Sequence, residues 1–169
     1  LIVLPLLVIY TSELKKIALV GNIAIAVSTA SVFLFSELAL TGQLNQMIIP
    51  GALAFGLTLI RELIKDIQDV EGDELQGLKT FPVLFGIKNS ISLVVILTIL
   101  LCSLAWLPYY FNIYGKLYGK ALLFFVEIPL ILSIFFLRKN PTSYGSALIS
   151  RATKWITLGG MITILCSSQ

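Results

Sequence analysis

Apolar runs of about 20 residues recur along this chain, separated by short polar stretches. An α-helix of that length can cross the hydrocarbon core of a bilayer. Hydrophobic residues make up 57% of the 169 residues, and charged residues make up only 12%, about half the charged fraction of an ordinary soluble domain. The sequence therefore predicts an all-α, polytopic bundle of transmembrane helices in an integral, multi-pass membrane protein.

Five full spans are predicted, at residues 17–40, 47–64, 90–107, 117–137 and 152–166. The apolar run 1–10 is too short to cross a bilayer and begins without a start Met, a basic region or a cleavage site. We interpret it as the end of a further helix. On this interpretation, residues 1–169 are the C-terminal part of a single longer domain.

Basic residues are predicted to lie mostly on one face of the bundle. If the spans alternate in direction, only Lys116 and Lys120 lie on the second face, and the first face carries Lys15, Lys16, Arg61, Lys65, Lys79, Lys88, Arg138, Lys139, Arg151 and Lys154. The positive-inside rule then makes the first face cytoplasmic. Anionic membrane lipids and a diphosphate are sufficient partners for a net charge of +3, so no nucleic-acid partner is predicted.

The residue types in the chain restrict its chemistry. It contains no His, and Cys102 and Cys166 lie far apart in separate apolar runs. The His-dependent nucleophile pairs and a zinc site with Cys and His ligands are therefore excluded. Any catalysis has to use carboxylates, cations, hydroxyls and a bound metal.

Six of the nine acidic residues lie within residues 61–74, at the end of the second predicted span. Four of them follow the helical spacing i, i+4, i+7 and i+11: Glu62, Asp66, Asp69 and Asp73. A continuing helix would carry this carboxylate row on one face, where like charges repel and require a cation. Mg²⁺ is held by one or two carboxylates together with water and phosphate oxygens. The row therefore indicates half of a site for a metal diphosphate.

Two other interpretations of this segment remain open from spacing alone. In the first, it is a solvated loop in which Lys65 pairs with Asp69, and Arg61 pairs with Asp66 or Glu62. In the second, it binds calcium, although the glycine in residues 69–73 is misplaced for an EF-hand. Gly72 also predicts that the helix frays near that residue.

Residues 61–86, RELIKDIQDVEGDELQGLKTFPVLFG, resemble the second aspartate motif of the UbiA superfamily of intramembrane prenyltransferases. Asp69 and Asp73 match its D-x-x-x-D, and the following segment matches at Gly77, Lys79, Thr80, Pro82 and Gly86. Residues 10–16, YTSELKK, followed by Gly21 and Asn22, are similar to the Y-S-x-x-L-K loop of the family and the start of its next helix, with Thr11 replacing the usual Ser. The resemblance implies a nine-helix fold, of which this chain contains the last five helices and the end of the helix that precedes them.

The resemblance also implies a cofactor and roles for individual residues. It implies Mg²⁺ bridged to an isoprenoid diphosphate, with Asp69 and Asp73 as catalytic metal ligands and Asp66 as a supporting carboxylate. The substrate-binding residues that it implies are Tyr10, Lys15, Lys16, Asn22 and Lys79 for the donor, and Arg61 and Glu62 for the acceptor. The first aspartate motif of the family, N-x-x-x-D-x-x-x-D, is absent from the sequence, so a missing N-terminal half is expected to supply the rest of the metal site.

Within the family, KDIQDVEGD followed by KTFPVLFG is most similar to the branch that prenylates glycerol-phosphate lipids, the geranylgeranylglycerol-phosphate geranylgeranyltransferases. This similarity predicts Mg²⁺-dependent transfer of a prenyl group to a glycerol-phosphate prenyl ether lipid. Two alternatives remain open. One is prenylation of an aromatic acid or quinone precursor of the 4-hydroxybenzoate or homogentisate type, and the other is a non-enzymatic transporter or an inactive fragment.

Overall fold

A computed structural model describes residues 17–139 and 143–166 of the chain. Within these two ranges the chain forms helices and no β-strand. The helices are α1 (Val20–Thr41), α2 (Ile48–Leu75), α3 (Phe81–Phe85), α4 (Ile87–Ala105), α5 (Leu107–Tyr110), α6 (Lys116–Leu122), a π-helical turn (Leu123–Glu127), α7 (Ile128–Lys139) and α8 (Ser143–Leu165). The predicted all-α membrane fold is confirmed.

Long helices occupy the positions of the five predicted spans. Among the described residues, three segments are long and apolar enough to cross a membrane: Val20–Thr41, Ile87–Tyr110 and Lys116–Lys139. The other two, α2 and α8, are of similar length but carry charged side chains along them. The predicted partial helix at 1–10 lies outside the described residues.

Two predicted boundaries differ from those in the structure. The sequence predicts a span that ends at residue 64 and a helix that frays near Gly72, but α2 continues through Gly72 to Leu75. Glycine inside a helix costs only about 1 kcal/mol relative to alanine, and the buried side chains of Ile64 and Ile67 hold this part of α2 in the core. Similarly, α8 begins at Ser143 rather than at residue 152.

The chain reverses direction immediately after α2, at Gly77. The amide of Gly77 donates to the carbonyl of Glu74 at 3.0 Å, and the amide of Leu78 donates to the carbonyl of Asp73 at 2.9 Å. Gly77 has a φ of +68°, in the left-handed region that closes helix ends and favours glycine. This turn brings the segment after α2 back towards Asp73, and α3 then packs against both α2 and α4.

The core is built around α2, which packs against α1, α4 and α8. Its buried residues are Leu57, Ile60, Leu63, Ile64 and Ile67, and they contact buried side chains from α4, α7 and α8. At 100° per residue, this apolar stripe lies on the side of α2 opposite the carboxylate row. Packing of the apolar stripe therefore fixes the direction in which the carboxylates project.

The helix from Lys116 to Lys139 is interrupted by the π-helical turn, in which the amide of Ile128 donates to the carbonyl of Leu123 five residues earlier. Pro129 follows and lacks the N–H that would bond the carbonyl of Phe125. That carbonyl faces α8, and a Cβ added at Gly159 would lie 2.5 Å from its oxygen. The close approach of α8 therefore requires glycine at residue 159.

Candidate functional site

The carboxylate row projects from one side of α2, as the helical spacing predicts. Its members differ in exposure. Glu62 and Asp73 are buried, Asp66 is half-buried and Asp69 is exposed. The most accessible carboxylate is therefore the first aspartate of the D-x-x-x-D pair.

Asp66 is linked to α1 by a hydrogen bond. The side-chain amide of Asn22 donates to Oδ2 of Asp66 at 2.8 Å, so the structure brings together two residues from separate predicted motifs. Burial raises the pKa of Asp66, which lies beyond the predicted span 47–64, to about 6; the Asn22 hydrogen bond opposes this shift, and the charges of Asp73 and Glu62 add to it. A cation bound here would relieve the repulsion between these carboxylates.

Glu62 is paired with two cations. Nη1 of Arg61 lies 2.6 Å from its Oε1, and Nζ of Lys65 lies 2.9 Å from its Oε2. The solvated-loop interpretation is therefore right about the pair of Arg61 with Glu62, but Lys65 pairs with Glu62 rather than with Asp69. Because both of its oxygens are already engaged, Glu62 is poorly suited to bind metal.

Asp69 and Lys79 lie on either side of the turn at Gly77, and both are exposed. No residue of the described ranges forms an ion pair with either side chain. Three predicted substrate-binding residues, Tyr10, Lys15 and Lys16, lie outside the described residues.

The row matches the requirements of Mg²⁺ in part. In the described part of the chain, no three acidic or Cys side chains are grouped closely enough to hold a metal ion. Asp69 and Asp73 could each supply an oxygen ligand, and Asp66 lies one turn away. One or two protein carboxylates, with the other positions taken by water and phosphate oxygens, is the usual way that proteins hold Mg²⁺.

An apolar cavity of about 250 Å³ lies between α1, α2, α4, α6 and α8. Its lining includes Phe33, Ala54, Thr58, Tyr118 and Gly160. Its walls are formed largely by aliphatic and small side chains from several helices, which periodicity within one helix does not identify. The sequence signal available for this cavity was the helical spacing of small residues in α2 and α8.

Two further carboxylates are held by the protein itself. Glu37 lies at the hairpin end of the bundle, which residues 37–47 and 105–116 form, and Glu127 lies in the π-helical turn. Glu37 accepts hydrogen bonds from the amides of Asn45, Gln46 and Met47 at 2.9, 2.6 and 3.0 Å. Glu127 accepts one from the indole of Trp106 at 2.8 Å. Both carboxylates have structural partners, whereas Asp69 of the row on α2 forms no ion pair with any described residue.

A helical bundle with a carboxylate row towards one end and an apolar cavity inside it is typical of an integral membrane protein that has both a polar site and a hydrocarbon-lined space. The family model described as the UbiA prenyltransferase family matches residues 1–156. The chain belongs to the UbiA prenyltransferase family.

Similar proteins include the digeranylgeranylglyceryl phosphate synthase of Methanosphaera stadtmanae, which is 34% identical over 160 residues that cover 95% of this chain and 57% of the relative. The synthase of the same name from Saccharolobus solfataricus is 35% identical over 165 residues, which cover 96% of this chain and 57% of the relative. The predicted resemblance to the branch that prenylates glycerol-phosphate lipids is therefore confirmed. The chain spans somewhat more than half the length of these relatives.

One solved structure with a similar fold is described as "Structural and mechanistic insights into the biosynthesis of Digeranylgeranylglyceryl phosphate synthase in membranes". It matches with a TM-score of 0.81 and 28% identity, and the match covers 97% of this chain and 58% of that one. The helix arrangement of this chain is therefore similar to that of a membrane protein of known structure.

Proposed function

We propose that the protein carrying this chain transfers a prenyl group from an isoprenoid diphosphate to a glycerol-phosphate prenyl ether lipid, using Mg²⁺ bound at Asp69 and Asp73. The observation that carries the proposal is the carboxylate row on α2, in a chain of the UbiA family. The names of the similar synthases support the choice of acceptor.

The residues of this chain divide the work as follows. Asp69 and Asp73 would hold the metal, and the hydrogen bond from Asn22 holds Asp66 in place on the same side of α2. Bound Mg²⁺ would offset the negative charge that develops on the diphosphate as its bond to the prenyl carbon breaks. Lys79, across the turn at Gly77, would stabilise the departing diphosphate.

The apolar cavity would hold the isoprenoid chain and exclude water from the reacting carbon. The bond between the prenyl carbon and the diphosphate breaks with its electron pair left on the diphosphate oxygen. An ether bond forms to the hydroxyl oxygen of the acceptor, and the hydroxyl proton passes to the released diphosphate. Exclusion of water matters because water would compete with that hydroxyl for the prenyl group.

We also propose that the carboxylate row lies on the cytoplasmic side and that residues 1–169 form the C-terminal part of one prenyltransferase domain. The asymmetry in Lys and Arg supports this orientation. A preceding part of the protein would supply the first aspartate motif and the remaining metal ligands.

The test is prenyl transfer by membranes that contain the full-length protein, with labelled isoprenoid diphosphate, Mg²⁺ and either geranylgeranylglycerol phosphate or 4-hydroxybenzoate. We expect turnover of the lipid acceptor, and a loss of roughly 100-fold or more in Asp69→Asn because it removes a metal ligand. Glu71→Gln is the matched control, since residue 71 is also acidic and exposed but lies on the opposite side of α2. Full activity in Asp69→Asn, or turnover of only the aromatic acceptor, would refute the proposal.

A further inference from the structure

A buried carboxylate on α2 fixes two cations beside the metal-binding aspartates. Glu62 is only 5% exposed, and each of its oxygens accepts from a different cation, Arg61 at 2.6 Å and Lys65 at 2.9 Å. A buried carboxylate is stable when it is paired and hydrogen-bonded in this way. Arg61, Lys65 and Glu62 together carry one more positive than negative charge, and the neighbouring Asp66 also interacts with Lys65.

Most of the donors on these two cations are unused. A guanidinium has five N–H donors and an ammonium has three, and each gives one of them to Glu62. Among the described residues, neither side chain has a second hydrogen-bond partner, and 27% of the Arg61 side chain and 39% of the Lys65 side chain remain exposed. Such a pair suits an anion with several oxygens, because a guanidinium can bind two of them and an ammonium adds a point charge.

The same side of α2 continues into the apolar cavity. Ala54 and Thr58 line the cavity, and Arg61 follows them at spacings of seven and three residues, which place all three on neighbouring parts of the helix surface. Lys65 is seven residues beyond Thr58. At 1.5 Å per residue, the two cations lie about 5 and 10 Å along the helix axis from the cavity wall. An amphiphile with a phosphate head and a hydrocarbon chain matches this arrangement.

The cations are also separated from the metal-binding pair. Asp69 lies one helical turn beyond Lys65, and Asp73 lies two turns beyond it, so α2 presents cations first and metal-binding carboxylates next. A reaction between a diphosphate donor and a phosphate-bearing acceptor must hold two anions near each other. Their repulsion is reduced if a metal ion neutralises the charge of the diphosphate and side-chain cations neutralise the charge of the acceptor phosphate.

We infer that Arg61 and Lys65 bind the phosphate monoester of the lipid acceptor, and that Glu62 is a positioning residue that holds both cations in place. This inference rests on the proposed function and deepens it, since it adds Lys65 and locates the acceptor headgroup. The acceptor's hydrocarbon chain then runs beside the donor's isoprenoid chain towards the cavity, and its hydroxyl lies between the cations and the metal-binding pair.

The test is steady-state kinetics of the full-length protein, with the concentrations of the two substrates varied separately. We expect Lys65→Met and Arg61→Met to raise KM for geranylgeranylglycerol phosphate by roughly 10- to 100-fold, the size expected when a charged hydrogen bond is lost. KM for the isoprenoid diphosphate should change little. Lys88→Met is the matched control, because Lys88 is exposed near the same end of the bundle but lies on α4, and its acceptor KM should stay unchanged.

A second readout uses the acceptor without its phosphate, geranylgeranylglycerol. The wild-type protein should prefer the phosphorylated acceptor, and both variants should lose most of that preference. Glu62→Gln should raise the acceptor KM while leaving kcat less affected, and Glu62→Asp should recover part of the loss. A role for Glu62 in folding alone would not change the preference for phosphate.

The outcomes separate this inference from the proposed function. If the wild-type protein transfers prenyl groups to the lipid acceptor but Lys65→Met leaves acceptor KM and phosphate preference unchanged, the inference is wrong and the function stands. A rise in KM for the diphosphate instead of the acceptor would also overturn it, because the cations would then serve the donor. If Arg61→Met does not fold, Lys65→Met decides alone, since Lys65 is more exposed. Lack of any transfer by the wild-type protein refutes the proposed function itself.

Discussion

Glu37 and Asp69 are both carboxylates near the ends of helices, but their surroundings have little in common. At the hairpin end, Glu37 accepts three backbone amides, which close the connection between α1 and α2. At the carboxylate end, formed by residues 61–80, Asp69 is exposed and has no ion-pair partner among the described residues. Its neighbour Asp66 has a single amide partner from Asn22.

The difference shows how structural and functional carboxylates can be distinguished. Glu37 at the hairpin end accepts three backbone amides, and Glu127 in the π-helical turn accepts the indole of Trp106, so donors from the chain itself stabilise both. At the carboxylate end, burial raises the pKa of Asp66 to about 6, and the charges of Asp73 and Glu62 add to the shift. The negative charge of Asp69, which pairs with no cation of the described residues, favours a cation from outside.

The largest effect that tests this difference is expected from Asp66→Asn. The change keeps the shape of the side chain and removes one charge from the row, so we expect a loss of prenyl transfer of roughly 100-fold, with little change in the thermal midpoint. The measurements are activity in the full-length protein and thermal unfolding in detergent. Retained activity with a lower thermal midpoint would make Asp66 a structural carboxylate like Glu37.

A smaller effect, on stability rather than activity, is expected from Gly159→Ala beside the π-helical turn. Gly159→Ala places a methyl group against the carbonyl of Phe125, so α8 must move, and we expect a destabilisation of about 1 to 3 kcal/mol, as for other overpacked sites. The control is Gly160→Ala, because no atom lies within 4 Å of a Cβ at residue 160. That variant should be unchanged or stabilised by up to about 1 kcal/mol. Equal unfolding midpoints for the two variants would show that this contact is loose.

The smallest effect is expected from Glu37→Gln. The variant keeps one acceptor oxygen and replaces the other with an NH₂ group that faces backbone donors, so some of the three amide bonds are lost. We expect a drop in the thermal midpoint smaller than that of Gly159→Ala, and unchanged specific activity of the folded protein. Lower activity at an unchanged midpoint would mean that the hairpin end takes part in the reaction.

The helix positions and the carboxylate row could be predicted from the sequence because both depend on periodicity within one segment. Apolar runs located the long helices, and the spacing from Glu62 to Asp73 predicted their common side of α2. The end of α2 could not be located in this way. Burial of Ile64 and Ile67 against neighbouring helices outweighs the weak helix propensity of Gly72.

The partners of individual side chains were harder to predict. Lys65 has acidic residues three positions before it and four positions after it, and spacing alone allows both pairs. The structure selects Glu62, which is buried and so gains more from a cation than the exposed Asp69. The bond between Trp106 and Glu127 joins residues 21 positions apart, and nothing in either local sequence predicts it.

The π-helical turn at Leu123–Glu127 adds one residue to an otherwise regular helix, so it changes the side of the helix that the following residues face. The residues before it present Tyr118 and Leu122 to the apolar cavity, while those after it present Leu130, Ile134 and Leu137 to the core. Deletion of one residue from the turn would rotate α7 by about 100° relative to α6 and carry its buried leucines towards lipid. The register of α7 relative to α6 therefore depends on one additional residue, so insertions and deletions should be tolerated far less here than in the loops.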